Sequence, residues 1–177
     1  SLLNKVTASG QVTQELFSPY QSYYYAAIIG DATFYSSAYG CNSGVGSPII
    51  RQELDGTNTV VAKDFCGYAN FAVANGKLYG ADPRGWVLEV DPAAGASAVV
   101  STNPGLGIAS AFATDGTSLF VAQQNTAGNY NIAKIGFGDA AQVNPNFVEN
   151  LTAQPQAMQV IGDKLYWVDG GAKAIPV

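Results

Sequence analysis

The side chains that could carry chemistry in this 177-residue chain are carboxylates, tyrosines and two cysteines, because the sequence contains no histidine. Without an imidazole, the Ser-His-Asp and Cys-His arrangements of nucleophilic catalysis are excluded. Nearly every zinc site is excluded as well, since two cysteines alone cannot form a structural one. Carboxylates that converge in space can still act as a general acid and base or bind calcium. The carboxylates near predicted turns or strand ends are Asp31, Glu53, Asp82, Glu89, Asp115, Asp163 and Asp169. No pair among them stands out in the linear sequence, so we expect no catalytic residue, no metal and no cofactor, with calcium as the open alternative.

Two further features concern the compartment in which the protein works. Cys41 and Cys66 belong neither to a CxxC motif nor to a cluster with metal-ligand spacing. An even number of cysteines in a weakly charged chain favours a disulfide between them, and disulfides persist in oxidising compartments; two free thiols in a cytosolic protein are the alternative. Asn150 begins an Asn-Leu-Thr acceptor pattern for N-glycosylation. These features predict a secreted, extracellular glycoprotein. The first residues show no signal peptide, which is compatible with secretion if such a peptide was removed earlier.

Tyrosines and an amide supply the candidate ligand-binding residues. They are Tyr20, Tyr23, Tyr24, Tyr39 and Asn42. The first three precede the first apolar strand, and the other two lie in a glycine-containing segment, 36–47, that a disulfide at Cys41 would pin. Tyrosine presents a rigid face with a polar tip that suits binding surfaces, and amides hydrogen-bond to sugar hydroxyls. We predict a protein or carbohydrate ligand here; the alternative is packing inside the fold or a loop without a binding role.

Composition restricts the partners further. Charged residues make up 12% of the chain, the net charge is −5, and the eight lysines and arginines are scattered. An acidic chain without a basic stripe lacks the footprint for a phosphate backbone, so we expect no nucleic-acid partner. No apolar run approaches the roughly 18 residues that a membrane-spanning helix requires, so we expect no membrane span.

The elements that must position these side chains follow a repeat. A pattern of a short apolar strand, a turn with Gly or Asp, and a pair of apolar or aromatic residues recurs four times. The aromatic residues that end the four copies are Tyr35, Tyr79, Phe120 and Tyr166. Asn-Gly and Asp-Gly turns between apolar runs predict hairpins. A third strand and a weaker fourth follow most hairpins, which gives four antiparallel strands every 40 to 45 residues or so, as in the blades of a β-propeller. A β-sandwich is the alternative, but it does not require a fixed period.

We therefore predict an all-β fold, a single β-propeller or propeller-like array of about four four-stranded blades, over residues 1–177. Its predicted units are a partial blade at 1–17, blades at about 20–66, 67–102 and 103–150, and a final partial blade at 151–177. The terminal strands are expected to pair and close the ring; alternatively, the chain is part of a larger ring that a second copy or another chain completes.

Two segments resemble known propeller repeats. Leu165-Tyr166-Trp167-Val168-Asp169 resembles the YWTD repeat of extracellular propellers in lipoprotein-receptor-type proteins. The segments 78–82 and 85–92 are similar to YVTN-like and NHL-like repeats. The resemblance implies the architecture and an extracellular binding role, and it transfers no site residue. Separately, Trp86 and Trp167 lie inside strand patterns, so we expect them to pack between blades.

The function that these observations favour is a secreted, non-catalytic recognition module that binds a protein or a glycan, in the manner of a lectin, through loop aromatics and amides. A structural role as one part of a composite propeller is one alternative. A calcium-dependent propeller hydrolase or lactonase is the other.

Overall fold

The structure, a computed structural model, describes residues 2–6, 12–17, 23–37, 47–65, 71–81, 86–93, 96–101, 109–125, 127–137 and 143–177. The regular elements in these residues are all β-strands. They are β1 (Leu2–Val6), β2 (Val12–Phe17), β3 (Tyr23–Ile29), β4 (Ala32–Ser37), β5 (Ser47–Gln52), β6 (Asn58–Phe65), β7 (Ala72–Ala74), β8 (Lys77–Ala81), β9 (Val87–Asp91), β10 (Ala96–Ser101), β11 (Ala109–Thr114), β12 (Ser118–Gln124), β13 (Tyr130–Gly136), β14 (Val143–Leu151), β15 (Ala157–Ile161), β16 (Lys164–Val168) and β17 (Ala172–Pro176).

The strands form antiparallel sheets in which each strand pairs with its neighbours in sequence. We call β3–β6 blade 1, β7–β10 blade 2, β11–β14 blade 3 and β15–β17 blade 4; β1 and β2 form the N-terminal hairpin. Blades 1 to 3 have four strands each and blade 4 has three. The prediction of an all-β, propeller-like array of about four blades is therefore confirmed.

Turn chemistry explains why the first two strands of each blade form a hairpin. In blade 2 the turn is Asn75-Gly76, and both residues have positive φ, 53° and 74°. That conformation matches the right-handed twist of the flanking strands, and it is the one that Asn-Gly favours. In blade 3 a wider turn is held by Asp115, whose Oδ1 accepts hydrogen bonds from the backbone N–H groups of Thr117 at 2.8 Å and Ser118 at 2.6 Å.

The apolar core lies between successive blades. Phe34 and Ile49 of blade 1 pack against Leu78 and Leu88 of blade 2, and Trp86 packs against the same cluster. The inner strands β3, β7, β11 and β15 follow one another in space, with β7 beside β3 and β11 beside both β7 and β15. The sheets thus pack face to face with their first strands next to one another, as the blades of a propeller do.

The same kind of cluster repeats at the next two contacts. Blades 2 and 3 meet through Tyr79, Phe112 and Leu119. Blades 3 and 4 meet through Phe120 and Trp167, among others. Trp167 is 6% exposed, so this tryptophan lies between blades as expected.

The terminal strands behave differently from those inside the array. Among the described strands, β1 and β2 pair only with each other, and β17 pairs only with β16. No ladder among the described strands joins the two ends of the chain, so pairing of the terminal strands stays a prediction.

Candidate recognition surface

The second strand of each blade carries an aromatic residue at an equivalent position, and in blades 1 to 3 this residue lies on the face toward the following blade. In the middle of each second strand, this residue sits across from a first-strand residue and a third-strand residue. Tyr79 lies opposite Ala72 and Glu89, and Phe120 lies opposite Ala113 and Lys134. The repeat therefore presents an equivalent aromatic side chain from blade to blade.

The equivalent residue in blade 1 is Phe34, and the sequence-based choice of Tyr35 was wrong by one position. Ile29 pairs with Ala32 across the turn, so the third residue after that turn is Phe34, opposite Ala27 and Arg51. Successive side chains in a strand point to opposite faces, so the adjacent Tyr35 cannot occupy the same face as Phe34.

The equivalent residue in blade 4 is Tyr166, and its exposure sets it apart. Tyr166 lies opposite Gln159 and Ala174. Phe34, Tyr79 and Phe120 are 1%, 2% and 0% exposed, whereas Tyr166 is 39% exposed. The first three are buried because the next blade covers them. No described strand covers Tyr166, so the same repeat position that forms the core elsewhere lies on the surface here.

The surface around Tyr166 is the outer face of blade 4. Its members alternate along each strand with residues that face blade 3. They are Ala157, Gln159, Ile161, Lys164, Tyr166, Val168, Ala172, Ala174 and Pro176. Ile161 is 57% exposed and Val168 is 47% exposed. Lys164 is the single charged residue of this set.

The third strand shows most clearly how this face differs from its buried counterparts. Blades 1 to 3 place a charged residue beside the aromatic ring: Arg51 lies 6.0 Å from the Phe34 ring centroid and Lys134 lies 5.3 Å from that of Phe120. In blade 4 that position is Ala174. The exposed face thus has less charge beside its aromatic residue than the faces that are already covered, which is the opposite of what a solvated surface needs.

A shallow groove of about 240 Å³ runs across one end of this face. It is lined by Ala157, Met158, Gln159, Tyr166, Trp167, Val168, Ala172 and Lys173. The Tyr166 ring offers apolar contact, and the Gln159 side chain directly opposite offers both a donor and an acceptor. This combination suits an apolar side chain flanked by a polar group.

The face rests on a rigid support. Beneath it, Leu165 is 0% exposed and Trp167 is 6% exposed against blade 3. At the groove end, Nζ of Lys173 lies 2.8 Å from Oδ1 of Asp169, and it also donates to Oγ1 of Thr152 at 3.2 Å. Burial alone would raise the pKa of Asp169, but the hydrogen bond and positive charge of Lys173 outweigh it and lower that pKa below its usual value of 3.8. The Asp169 carboxylate is thus held charged at neutral pH.

The other carboxylates singled out in the sequence make local structural contacts. Glu89 accepts hydrogen bonds from Nζ of Lys77 at 2.5 Å and from the hydroxyl of Tyr79 at 2.9 Å. Burial, reinforced by Glu89, raises the pKa of Tyr79 well above its usual value. Glu53 pairs with Arg51 at 2.6 Å. Asp31 and Asp163 lie exposed in hairpin turns.

Metal binding finds no support among these groups. In the part of the chain that the structure describes, no three His, Cys, Asp or Glu side chains group closely enough to hold a metal ion. Asp82 lies outside the described residues.

Most of the binding residues predicted from the sequence also lie outside the described residues. Those are Tyr20, Tyr39 and Asn42; the two cysteines of the predicted disulfide, Cys41 and Cys66, lie outside the described residues as well. Tyr23 and Tyr24 belong to β3, but only their backbone is described. Asn150 is exposed near the end of β14, with φ of 57°. The ligand contacts, the disulfide and the glycosylation therefore stay predictions.

The outer face of blade 4 was missed at the sequence level. The alternating pattern from Gln159 to Val168 looks like that of the other hairpins, and nothing local marks this face as uncovered. Its one available signal was the neutral Ala174 at a position that is charged in the three preceding blades.

No protein-family model matches the sequence, and no curated protein matches it either. Solved structures do match. The computationally designed Ika4 protein aligns over 92% of this chain and 96% of its own, with a TM-score of 0.65 at 9% identity. A putative gluconolactonase aligns over 97% of this chain and 66% of its own, with a TM-score of 0.66 at 13% identity. TolB from Acinetobacter baumannii aligns over 98% of this chain and 45% of its own, with a TM-score of 0.65 at 16% identity.

These likenesses establish a β-propeller fold and nothing finer. Both natural neighbours are β-propeller proteins, and the chain spans only part of their length. The matched structures include a putative gluconolactonase and a designed protein, so the fold is compatible with more than one function. The described residues include no helix long and apolar enough to cross a membrane.

Proposed function

We propose that this chain is a non-catalytic recognition and assembly module that binds a protein through the outer face of blade 4. The observation that carries the proposal is the exposure of Tyr166 at a repeat position that is buried in each of the three preceding blades. The partner supplies a sheet that packs on this face as blade 4 packs on blade 3.

The driving force is the burial of apolar surface. Burying a tyrosine removes on the order of 150 to 250 Å² from water, and each Å² of apolar area contributes roughly 25 cal/mol. Ile161 and Val168 flank Tyr166 on the same face and add to this area. Gln159 and Lys164 supply polar contacts that orient the partner.

The partner that best fits this face is a second copy of the chain. Inside the chain, each blade packs on the next through the same repeat positions that the outer face of blade 4 presents. A blade of a second copy can therefore pack on this face in the same way. In a dimer with a two-fold axis, blade 1 of each copy would pack against blade 4 of the other copy. Closed symmetric dimers of this kind are the commonest oligomers, and the two equivalent junctions double the buried surface.

The remaining expectations are compatible with this assembly. Asn150 lies on β14 and not on the outer face of blade 4, so a glycan there leaves the face open. Secretion, the Cys41–Cys66 disulfide and ligand binding by loop tyrosines are predictions that a composite propeller can accommodate. The described carboxylates offer no specific support for the hydrolase alternative.

The experiment is a measurement of solution mass by light scattering across a range of concentrations. The wild type is expected to reach twice the chain mass of 18.4 kDa. Tyr166→Asp places a charge in the centre of the face and is expected to give a monomer. The control is Leu54→Asp, because Leu54 is 68% exposed in the turn between β5 and β6, and this variant should still dimerise.

Two outcomes contradict the proposal. One is a wild type that stays monomeric at every concentration. The other is a Tyr166→Asp variant that dimerises like the wild type while its thermal unfolding is unchanged.

A further inference from the structure

Strand β17 has one edge that no described strand pairs with, and two hydrogen bonds show which of its backbone groups point toward that edge. The N–H of Asp169 donates to the carbonyl of Gly171 at 3.2 Å, and the N–H of Val177 donates to the carbonyl of Asp163 at 3.0 Å. Because backbone groups alternate in direction along a strand, the odd-numbered residues of β17 point toward β16. The N–H and C=O groups of Ala172 and Ala174, and the C=O of Pro176, therefore point outward.

In the preceding blades the corresponding edge is covered. There β5 pairs with β6, β9 with β10, and β13 with β14. Blade 4 ends at β17 among the described strands. Pro176 has no N–H to offer and stands at an outward-pointing position near the end of the strand, where proline is tolerated on an edge. The amides of Ala172 and Ala174 are the outward donors that an added strand would use.

We infer that the edge of β17 accepts a strand from the N-terminal hairpin of a second copy, which completes blade 4 between chains. This inference rests on the proposed function. Blade 4 lacks one strand of the four that blades 1 to 3 have, and the strands of the N-terminal hairpin pair with no other described strand. Strand addition to an open sheet edge satisfies backbone groups that water would otherwise have to solvate.

The first test removes an outward N–H and leaves the chain's own ladder intact. Ala174 forms no hydrogen bond with β16 through its backbone, so Ala174→Pro is expected to fold normally and to weaken dimerisation about tenfold or more, through lost hydrogen bonds and an altered edge. Because Ala174 also lies on the outer face, the matched variant Ala174→Ser, which keeps the N–H, measures the effect of a changed side chain there; a loss of affinity for Ala174→Ser as large as that for Ala174→Pro would overturn the inference. Hydrogen exchange gives a second readout: the amides of Ala172 and Ala174 should be protected in the dimer and exchange rapidly in the diluted monomer.

The second test identifies the source of the strand. Wild-type chains labelled with ¹⁵N are mixed with unlabelled chains and treated with an amine-reactive cross-linker. The hairpin carries one lysine, Lys5, and blade 4 carries Lys164 and Lys173. We expect links from Lys5 to these lysines that join a labelled peptide to an unlabelled one. Links found only within one isotopic label would show that the hairpin adds to β17 of its own chain and would overturn the inference.

The two proposals fail in different ways. If Tyr166→Asp is monomeric while Ala174→Pro dimerises with unchanged affinity, the face binds a second copy without strand addition, so the inference falls and the proposed function stands. If the wild type is monomeric throughout, both fall.

Discussion

Nζ of Lys173 lies 2.8 Å from Oδ1 and 2.9 Å from Oδ2 of Asp169, a residue that is 2% exposed. The pair closes the end of blade 4 beside the groove. It leaves the carboxylate with a positive partner and a hydroxyl partner, Thr152. This contact has a measurable dependence on pH.

The pKa of Asp169 is lower in the folded chain than its usual value of 3.8. Its contribution to stability is therefore present above pH 3.8 and is lost as the pH falls through the lower, folded-state pKa. Asp169→Asn should reduce the free energy of unfolding by about 1 to 3 kcal/mol at neutral pH, and the difference should shrink in acid. Urea unfolding of both proteins between neutral pH and strong acid measures this. The control, Asp163→Asn in an exposed turn, should change little, and a pH-independent difference for Asp169→Asn would refute the prediction.

Equivalent aromatic residues should differ sharply in their effect on stability. Phe120 is fully buried between blades 3 and 4, so Phe120→Ala should reduce the free energy of unfolding by about 3 to 5 kcal/mol. Tyr166→Ala should cost about 1 kcal/mol or less, measured by urea unfolding of dilute monomer. Equal losses from the two variants would mean that Tyr166 is covered within its own chain.

Adjacent glutamines on β12 offer a second matched pair. Gln123 is 0% exposed, and in the described part of the chain neither Nε2 nor Oε1 of its side chain has a hydrogen-bond partner. A buried polar group without a partner is destabilising, so Gln123→Leu should raise the free energy of unfolding by about 1 to 2 kcal/mol. Gln124 donates to the carbonyl of Gly128 at 3.0 Å, so Gln124→Leu should lower stability slightly. A loss of stability in Gln123→Leu would show that the amide is satisfied.

Backbone conformation can be tested separately from packing. A Cβ added at Gly76 meets no atom within 4 Å, but φ is +74°. Gly76→Ala should therefore be destabilising by about 1 kcal/mol through backbone strain alone. Gly171 also has open space and has no positive φ of this kind, so Gly171→Ala should be close to neutral. Thermal unfolding compares the two; a neutral Gly76→Ala would contradict the turn assignment.

The hairpins and their period were predictable because turn chemistry and alternation act over a few residues. Asn75-Gly76 forms the turn that its residue types favour, and Trp167 packs between blades as expected. The choice of Tyr35 over Phe34 failed because both residues are aromatic and adjacent. Only the pairing register decides which of them points toward the next blade, and a shift of one residue exchanges the two faces.

The candidate surface was less accessible to prediction. The loop residues chosen for binding, such as Tyr39 and Asn42, were selected by residue type, which carries no information on how they sit relative to each other. Tyr166 appeared in the sequence as one more repeat aromatic. What distinguishes Tyr166 from Phe120 is its exposure, which depends on whether another blade covers the ring.

The amino-acid sequence alone determined the antiparallel hairpins, their repetition and the absence of imidazole chemistry, since these follow from local residue types and their spacing. The tertiary structure decided that Phe120 is buried and Tyr166 exposed, and that among the described strands β17 pairs only with β16. Those properties depend on which sheet lies next to which, and burial is a relation between distant segments that a local pattern does not contain.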